Sequence, residues 1–508
     1  MTSPVSITGR EEDDLNGSLS RYSRQTDSLN ELSAYYRGRQ RLTFLSPSVR
    51  SRLQHVVINI PRLVVDAIEH RLDVDGFRMG GSPQADADLW RIWQHNDLDE
   101  WSQQAHLDAL IYGRSYVMVW GDENNPDVPC ITVESARQLS VDYDLSQTSL
   151  LGGRGVVTRA VKRWTEGDTD YATVYTENLI QRYAAPAGTS GDRIDWRRRE
   201  VPRLNTLGAV PIVPLLNRPT LTMPLGESEM TDVIPVADAI NKLATDMMVS
   251  AEYHAMPRRW ATGIDLGGND DEAERTSAKV EQKWTQAEAG RVWLSDSSDT
   301  TFGQFPEANL DNFIGAINMY TARAAAITGL PPHYFGQAGE NPASADALRA
   351  SEASLVERAK RKHKVFGGSW ERVMRLALLV RDGEISDAAR SMETIWAKAE
   401  TPSVAQEADA AVKLYQAGIT TKGQAREDLS YTPEQRDRMK DEDDATALGA
   451  VSVQLAEAQR LQDEQGLSQQ AAFAAVGLLQ AAAAIGAPTR RTLERDAAGN
   501  ITAITEGS

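Results

Sequence analysis

A run of basic residues past the middle of the chain is the sequence feature best suited to binding an anion. With one earlier arginine, it comprises Arg349, Arg358, Lys360, Arg361, Lys362 and Lys364. Lysine and arginine bind phosphate groups, so these side chains could face DNA. Their spacing spreads them around a helix, however, so we slightly favour ion pairs with a neighbouring subunit over a ring of charges that faces DNA.

A second basic and aromatic group, Arg258, Arg259 and Trp260, follows a helical pattern and a proline. Guanidinium groups and an indole ring could hold a phosphate and stack on a flat group. The alternative, which we favour, is a rim that docks other proteins.

The sequence lacks the common catalytic and metal-binding motifs. It contains no G-x-x-x-x-G-K-[ST] phosphate loop, H-E-x-x-H, G-x-S-x-G or Cys-x-x-Cys. The four consecutive acids at 441–444 would point around a helix, and His95 and His106 lie too far apart to share an ion. We therefore expect no catalytic residue, metal or cofactor, although a site assembled from scattered side chains is an alternative.

The composition describes a large acidic chain. Its 508 residues carry a formal net charge of −18, which disfavours sequence-specific binding of nucleic acid. Cys130 is the one cysteine, so no intrachain disulfide forms. The N-terminus lacks the pattern of a signal peptide. The apolar run 471–487 is shorter than the roughly 20 residues of a membrane span, so we expect no membrane partner.

The elements that must position the basic run are two long helices separated by a breaker-rich loop. Apolar residues recur at helical spacing from about Pro306 to Thr328, and we expect Pro331 and Pro332 to end that helix. A second helix should begin near Ser344 and continue towards residue 382, with a kink at Gly367-Gly368. Glycine and proline deny the intervening loop a regular structure.

Other patterns predict a mixed fold. Helical spacing is present at Ser28–Leu42, after Pro61, at Ala85–Tyr112 and at Thr231–Ala255. Between them, short β-type runs predict an antiparallel sheet region with tight turns. After Gly383, a short strand at 394–396 precedes helices that dominate to the end, and the residues from about Arg490 lack periodicity and are expected to be mobile.

The helix, polar loop and very long helix resemble the stem, tunnel loop and kinked helix of tailed-bacteriophage portal proteins. Tyr35-Tyr36-Arg37-Gly38 and the run Asn59–Phe77 are similar to portals of siphophages that infect actinobacteria. The resemblance implies an α+β fold, mainly helical, with wing, stem, clip and crown regions. The implied boundaries are wing 1–230, first stem helix 231–256, clip 257–305, second stem helix 306–335, tunnel loop 336–345, long kinked helix and returning wing strand 346–400, and crown with a mobile C-terminus 401–508.

The resemblance also implies function. Such a protein forms a ring of usually about twelve copies at one capsid vertex of the virion, having assembled in the host cytoplasm. Double-stranded DNA passes through it without specific binding, and its partners are the terminase large subunit, the head-to-tail adaptor, and the major capsid and scaffolding proteins. The implied tunnel-loop residues are Gln337, Glu340, Asn341, Pro342 and Ser344, and the implied clip docking residues are Arg258, Arg259, Trp260 and Trp293.

Two other functions stay open. One is a different ring or scaffold component of a virion. The other is a multidomain cytosolic enzyme whose active site carries no recognisable motif.

Overall fold

The computed structural model describes residues 9–41, 57–82, 84–122, 125–187, 196–255, 259–262, 299, 301–304, 309–337, 345–400, 404–429, 431–465, 491–495 and 501–506. The chain divides into two compact units, residues 1–74 with 92–401, and residues 75–91 with 402–508. The predicted boundaries of wing, stem, clip and crown stay predictions.

Four helices are described in the N-terminal part of the chain: α1 (Gly9–Tyr36), α2 (Ile60–Glu69), α3 (Ala87–His95) and α4 (Leu98–Tyr112). The prediction of Ser28 as the first helical residue was wrong. Leu15 and Leu19 are buried against a sheet, and this tertiary packing supports a helical segment whose own pattern is weak. The single helix predicted from 85 to 112 is also two helices, because Asp97 takes a left-handed conformation with φ 50°.

Two antiparallel sheets follow, as the β-type runs predicted. The described strands of this part are β1 (Val74–Arg78), β2 (Arg114–Trp120), β3 (Cys130–Ser135), β4 (Leu139–Thr148), β5 (Arg154–Glu166), β6 (Thr169–Thr176), β7 (Leu179–Pro186), β8 (Arg197–Arg198), β9 (Arg203–Leu204) and β10 (Ile212–Leu216). One sheet has the order β10-β2-β3. The other has six strands, in the order β4-β5-β6-β7-β8 with β9 also paired to β7. The sequence prediction missed β1, β4 and the two-residue strands β8 and β9.

The next elements follow the predicted order of helix, insertion and helix. They are α5 (Ile234–Ala255), β11 (Arg259–Thr262), β12 (Thr301–Gln304), α6 (Asp311–Thr328), a 3₁₀ turn (Pro332–Phe335) and α7 (Ala345–Asp382). The prolines do not end α6. Gly329 ends it earlier by adopting a left-handed φ of 65°, which costs glycine little. Pro332 instead opens the 3₁₀ turn.

The helix α7 runs without interruption through Gly367 and Gly368, so its kink stays a prediction. A Cβ atom at Gly367 would lie 3.0 Å from Nε1 of Trp396, in the strand β13 (Glu393–Trp396). The hydroxyl of Thr394 donates to the Gly367 carbonyl at 3.1 Å. Gly367 therefore allows close packing of α7 on β13, which itself follows the short helix α8 (Asp387–Arg390).

The C-terminal part of the second unit contains three described helices up to residue 465. Its helices are α9 (Val404–Gln416), α10 (Lys422–Asp428) and α11 (Pro433–Gln465). Near the C-terminus, β14 (Arg491–Arg495) and β15 (Ile501–Glu506) pair in an antiparallel hairpin, and the mobility expected of this region stays a prediction. The β-branched residues of Ile501–Thr505 favour a strand.

Candidate functional site

The predicted stem consists of two helices that pack on each other. α6 packs along α5, and the chain between them includes the antiparallel strands β11 and β12. Of the predicted clip docking residues, Arg259 and Trp260 lie on β11, opposite Gln304 and Gly303. Arg258 and Trp293 lie outside the described residues.

A buried ionic cluster joins the start of the stem to α7. The side chain of Glu229 is 1% exposed and accepts hydrogen bonds from Lys362 Nζ at 2.7 Å and from the guanidinium of Arg358. Lys362 also donates to the amide oxygen of Asn217 at 2.5 Å, and the amide nitrogen of Asn217 donates to Glu229 at 3.1 Å. Two distant parts of the chain, residues 217–229 and α7, therefore meet at one carboxylate.

The charges within this cluster favour the ionised form of Glu229. Burial alone would raise the pKa of its carboxyl group. The nearby charges of Lys362 and Arg358, with their hydrogen bonds, outweigh burial and lower this pKa to about 2. Glu229 is therefore a carboxylate throughout the neutral range.

Two glycines let the backbone close around the ionic cluster. Gly113 ends α4 with φ 82°, and a Cβ atom there would lie 2.8 Å from the backbone of Glu227. Gly226 has φ 75°, and its Cβ would lie 2.2 Å from the Asn217 carbonyl oxygen. No other residue fits at either position without moving the backbone.

The structure separates the predicted basic residues into two groups. Lys362 is buried within the subunit, so the expectation that it faces DNA or a neighbouring subunit was wrong, and Arg358 likewise binds Glu229 of its own chain. Lys360 pairs with Glu400 at 2.6 Å. The remaining side chains, Arg349, Arg361 and Lys364, are exposed.

The beginning of the predicted tunnel loop is fixed to the helices on both sides of it. The Gln337 side-chain amide donates to the carbonyl of Asn318, on α6, at 3.0 Å. The hydroxyl of Tyr334 donates to Glu352, on α7, at 3.1 Å, and accepts from Arg71 at 3.1 Å. The other predicted loop residues, Glu340, Asn341, Pro342 and Ser344, lie outside the described residues.

A buried aromatic group holds the middle of α7 on the body. The indole nitrogen of Trp370 donates to Nε2 of His106 at 2.8 Å, and the His106 ring stacks on Phe366. Burial, together with the charge of His363, lowers the pKa of His106 to about 3. His106 is thus a neutral core residue, as its distance from His95 indicated.

Sequence reasoning missed Glu229, the centre of the ionic cluster. A carboxylate just before an apolar helix is common, and 133 positions separate Glu229 from Lys362. The basic run contains the cationic partners of Glu229, but only the fold shows which of its side chains turn inward.

Within the described ranges, no three His, Cys, Asp or Glu side chains are placed to hold a metal ion, and no helix is long and apolar enough to cross a membrane. The free thiol of Cys130 is partly buried, and burial raises its pKa. The described residues form packing contacts between elements and exposed surfaces instead of a convergent group of catalytic side chains.

Comparison with known proteins agrees with the resemblance noted in the sequence. The SPP1 Gp6-like phage portal protein family matches residues 18–470. The portal protein of Mycobacterium phage D29 is 32% identical over 450 residues, which cover 86% of this chain and 90% of that protein. That of Mycobacterium phage L5 is 31% identical over 444 residues, covering 83% and 86%.

Two solved structures are similar at lower levels. A chain in the neck of an empty GTA particle has a TM-score of 0.42 at 16% identity, covering 77% of this chain and 92% of its own. A chain in the virion of a native gene transfer agent has a TM-score of 0.40 at 15% identity, covering 79% and 94%. The family match over most of the sequence, with the two relatives above 30% identity, shows that this chain belongs to the phage portal protein family.

Proposed function

We propose that the chain forms a closed ring of about twelve copies at one capsid vertex, through which double-stranded DNA enters and leaves the capsid. The observation that carries the proposal is an unpaired surface on α6. One side of this helix, with Ala324 and Ala325, is buried, whereas Met319 and Ile327 on the other side are 51% and 50% exposed. Apolar side chains at this exposure on a stem helix are suited to contact with a neighbouring copy.

The charge of the chain suits a conduit. Tight pairing of each phosphate with lysine or arginine would release counterions and favour stopping. A subunit with a net charge of −18 repels the polyanion and keeps it mobile. The inward-turned Lys362 and Arg358 reduce the number of cations that the basic run could present to DNA.

The segment 336–344 would be the part that contacts the moving DNA. Gly336 has a left-handed φ of 75°, and Gln337 and Tyr334 fix the start of the segment to α6 and α7. Anchoring of its start to these two helices would hold the segment at a defined radius of the channel. Exposed Arg349, Arg361 and Lys364 would lie between neighbouring subunits or face DNA.

The insertion between α5 and α6 would dock the other components. Arg258, Arg259, Trp260 and Trp293 would contact the terminase large subunit during packaging and the head-to-tail adaptor afterwards. The terminase would supply ATP hydrolysis, because the sequence has no phosphate loop. The wing would meet the major capsid and scaffolding proteins after assembly in the host cytoplasm.

The test is the shape and mass of the purified protein. We expect negative-stain images to show rings with a central hole, and mass photometry to give a multiple of 55.8 kDa near twelve. Met319→Asp places a charge on the exposed face of α6 and should shift the population towards small species. Leu221→Asp, at a side chain that is 94% exposed in a loop, is the matched control and should assemble normally. A strictly monomeric protein at micromolar concentration in several salt conditions would contradict the proposal.

A further inference from the structure

The outer face of the six-stranded sheet carries an unusual set of side chains. Successive residues of a strand point to opposite faces, and the inner face buries Val161, Ala172 and Val174 with Leu15 of α1. The opposite face therefore carries the alternate residues. They are Lys162 and Trp164 on β5, Tyr171, Thr173 and Tyr175 on β6, and Arg182 on β7.

Four of the side chains at this face form a ladder of cations and rings. Lys162 Nζ lies 5.9 Å from the centre of the Trp164 ring, and that ring stacks on Tyr171 with centroids 5.3 Å apart. The guanidinium of Arg199 lies 5.0 Å from the centre of Tyr171. A cation thus stands at each end of a stacked aromatic pair.

The ladder borders a cavity of about 500 Å³, which Arg182 and Tyr175 also line. The size is within the usual range for binding pockets. Lys162 pairs with Glu134 at 2.6 Å, and Glu200 lies 3.2 Å from Arg182 and 3.4 Å from Arg203. Three cations, Lys162, Arg182 and Arg199, line the cavity, and two carboxylates pair with cations at its edge. The cavity is therefore locally positive on a chain with a net charge of −18.

The chemistry of this cavity fits a polypeptide better than a nucleic acid. Tryptophan, tyrosine and arginine are the residues most enriched at the energetic centres of protein interfaces. A nucleic-acid base would need a free ring face on which to stack. Here Trp164 and Tyr171 cover each other, and Lys162 and Arg199 cover their other faces.

We propose that this face, the cation–ring ladder with Arg182, docks an acidic segment of a neighbouring copy of the same chain. The inference rests on the proposed ring. Each copy carries 72 acidic side chains against 54 basic ones, so every neighbour offers acidic segments. Copies with the same large net charge repel one another, and a local contact of opposite charge offsets this repulsion. A patch that meets a different patch on the next copy is the heterologous contact that closes into a ring.

The first experiment measures assembly of full-length variants by mass photometry. Arg199→Glu reverses the charge of an exposed side chain and should raise the concentration for half assembly at least about tenfold, with an unchanged melting midpoint. Raising the salt concentration should weaken assembly of the wild type more than that of the variant. Arg154→Glu is the control, because it makes the same change on β5 about 26 Å from Lys162.

The outcomes separate this proposal from the proposed function. A wild type that forms no ring contradicts both. A wild type that forms rings, with Arg199→Glu assembling as well as Arg154→Glu, overturns only the docking face. If Arg199→Glu has no melting transition, the comparison is made with Arg199→Gln, which removes the charge without reversing it. This variant should give a smaller shift in the concentration for half assembly.

The second experiment identifies the occupant. A benzophenone amino acid at Tyr175, in rings mixed from ¹⁴N- and ¹⁵N-labelled copies, should cross-link to an acidic segment of the other isotope. The yield should fall in the Arg199→Glu background. Cross-links only within copies of one isotope, or to DNA or a different virion protein, would overturn the assignment. A cross-link yield no higher than from the same probe at Leu221 would also overturn it.

Discussion

The carboxylate of Glu229 joins residues that the sequence places far apart, since Asn217 follows β10 and both Lys362 and Arg358 belong to α7. Paired charges inside a protein add little net stability compared with apolar residues, but removing one partner leaves the others uncompensated. The value of this cluster is therefore geometric: it fixes the start of the stem relative to α7.

Glu229→Ala should destabilise the first unit by about 3–5 kcal/mol, because Lys362 would stay buried without its counter-ion. Chemical unfolding followed by tryptophan fluorescence measures this loss. The double variant Glu229→Ala with Lys362→Met should recover part of it, since it removes the buried ammonium as well. A loss below about 1 kcal/mol in the single variant would show that water solvates the cluster.

The pH dependence of the same cluster has a defined sign. The folded-state pKa of Glu229 is lowered to about 2 from an ordinary value of 4.5. Its contribution to stability is therefore present above pH 4.5 and lost as the pH falls towards 2. Melting midpoints between pH 5 and pH 3 should fall more for the wild type than for Glu229→Gln, and parallel curves would contradict the assignment.

Glu69 should act in the opposite direction. Burial, with the charges of Asp73 and Asp66, raises its pKa to about 7. Its stabilising contribution is present below pH 4.5 and is lost as the pH rises through 7. Glu69→Gln should therefore raise the melting midpoint at pH 8 relative to the wild type, with a smaller difference at pH 5. An equal difference at both values would exclude titration of Glu69 as the cause.

Among the secondary-structure elements, those with a strong local signal were predictable. The stripes of α5 and α6 gave these helices to within a few residues, and Asn59 with Pro61 marks the start of α2. The wrong predictions have physical causes. The start of α1 depends on contact with a sheet, and α6 ends at Gly329, ahead of the prolines. The ionic cluster at Glu229 could not be predicted from the sequence, because no local pattern indicates a pairing across 133 positions.

The packing of α7 on the body can be tested through Trp370. This side chain is fully buried, contacts Trp93 edge-to-face and donates to His106. Trp370→Ala should cost about 3–5 kcal/mol of stability and reduce ring formation. Trp101→Ala is the matched control, since Trp101 is 52% exposed on α4, and should change little. Equal losses in unfolding experiments for the two variants would contradict the role of Trp370 as a core anchor.

At the scale of the whole molecule, the described surfaces point to assembly. Exposed apolar side chains lie on α6, and the six-stranded sheet carries a basic, aromatic face; we propose that a neighbouring copy covers both. Portal proteins are structural components, and in the proposed function the free energy for DNA movement comes from another protein.

We accordingly expect no ATPase or nuclease activity from the pure protein. The sequence has no phosphate loop, and the described residues include no convergent metal site. A coupled ATPase assay and a plasmid-nicking assay with Mg²⁺ should both give background rates. Turnover that is abolished by changing a single carboxylate would favour an enzyme over a purely structural ring component.

The last prediction concerns the loop that would contact DNA. Alanine at Gln337, Glu340 and Asn341 removes polar side chains, and at Gln337 it loses one hydrogen bond to Asn318 on the surface. Such a change should cost less than about 1 kcal/mol per site, so rings should form normally. If the loop borders the channel, each change alters the clearance around the duplex in every subunit at once. Packaging assays on heads of normal appearance should then show DNA that is not packaged or not retained. Variants that abolish ring formation, while surviving particles package normally, would make this segment an ordinary subunit contact.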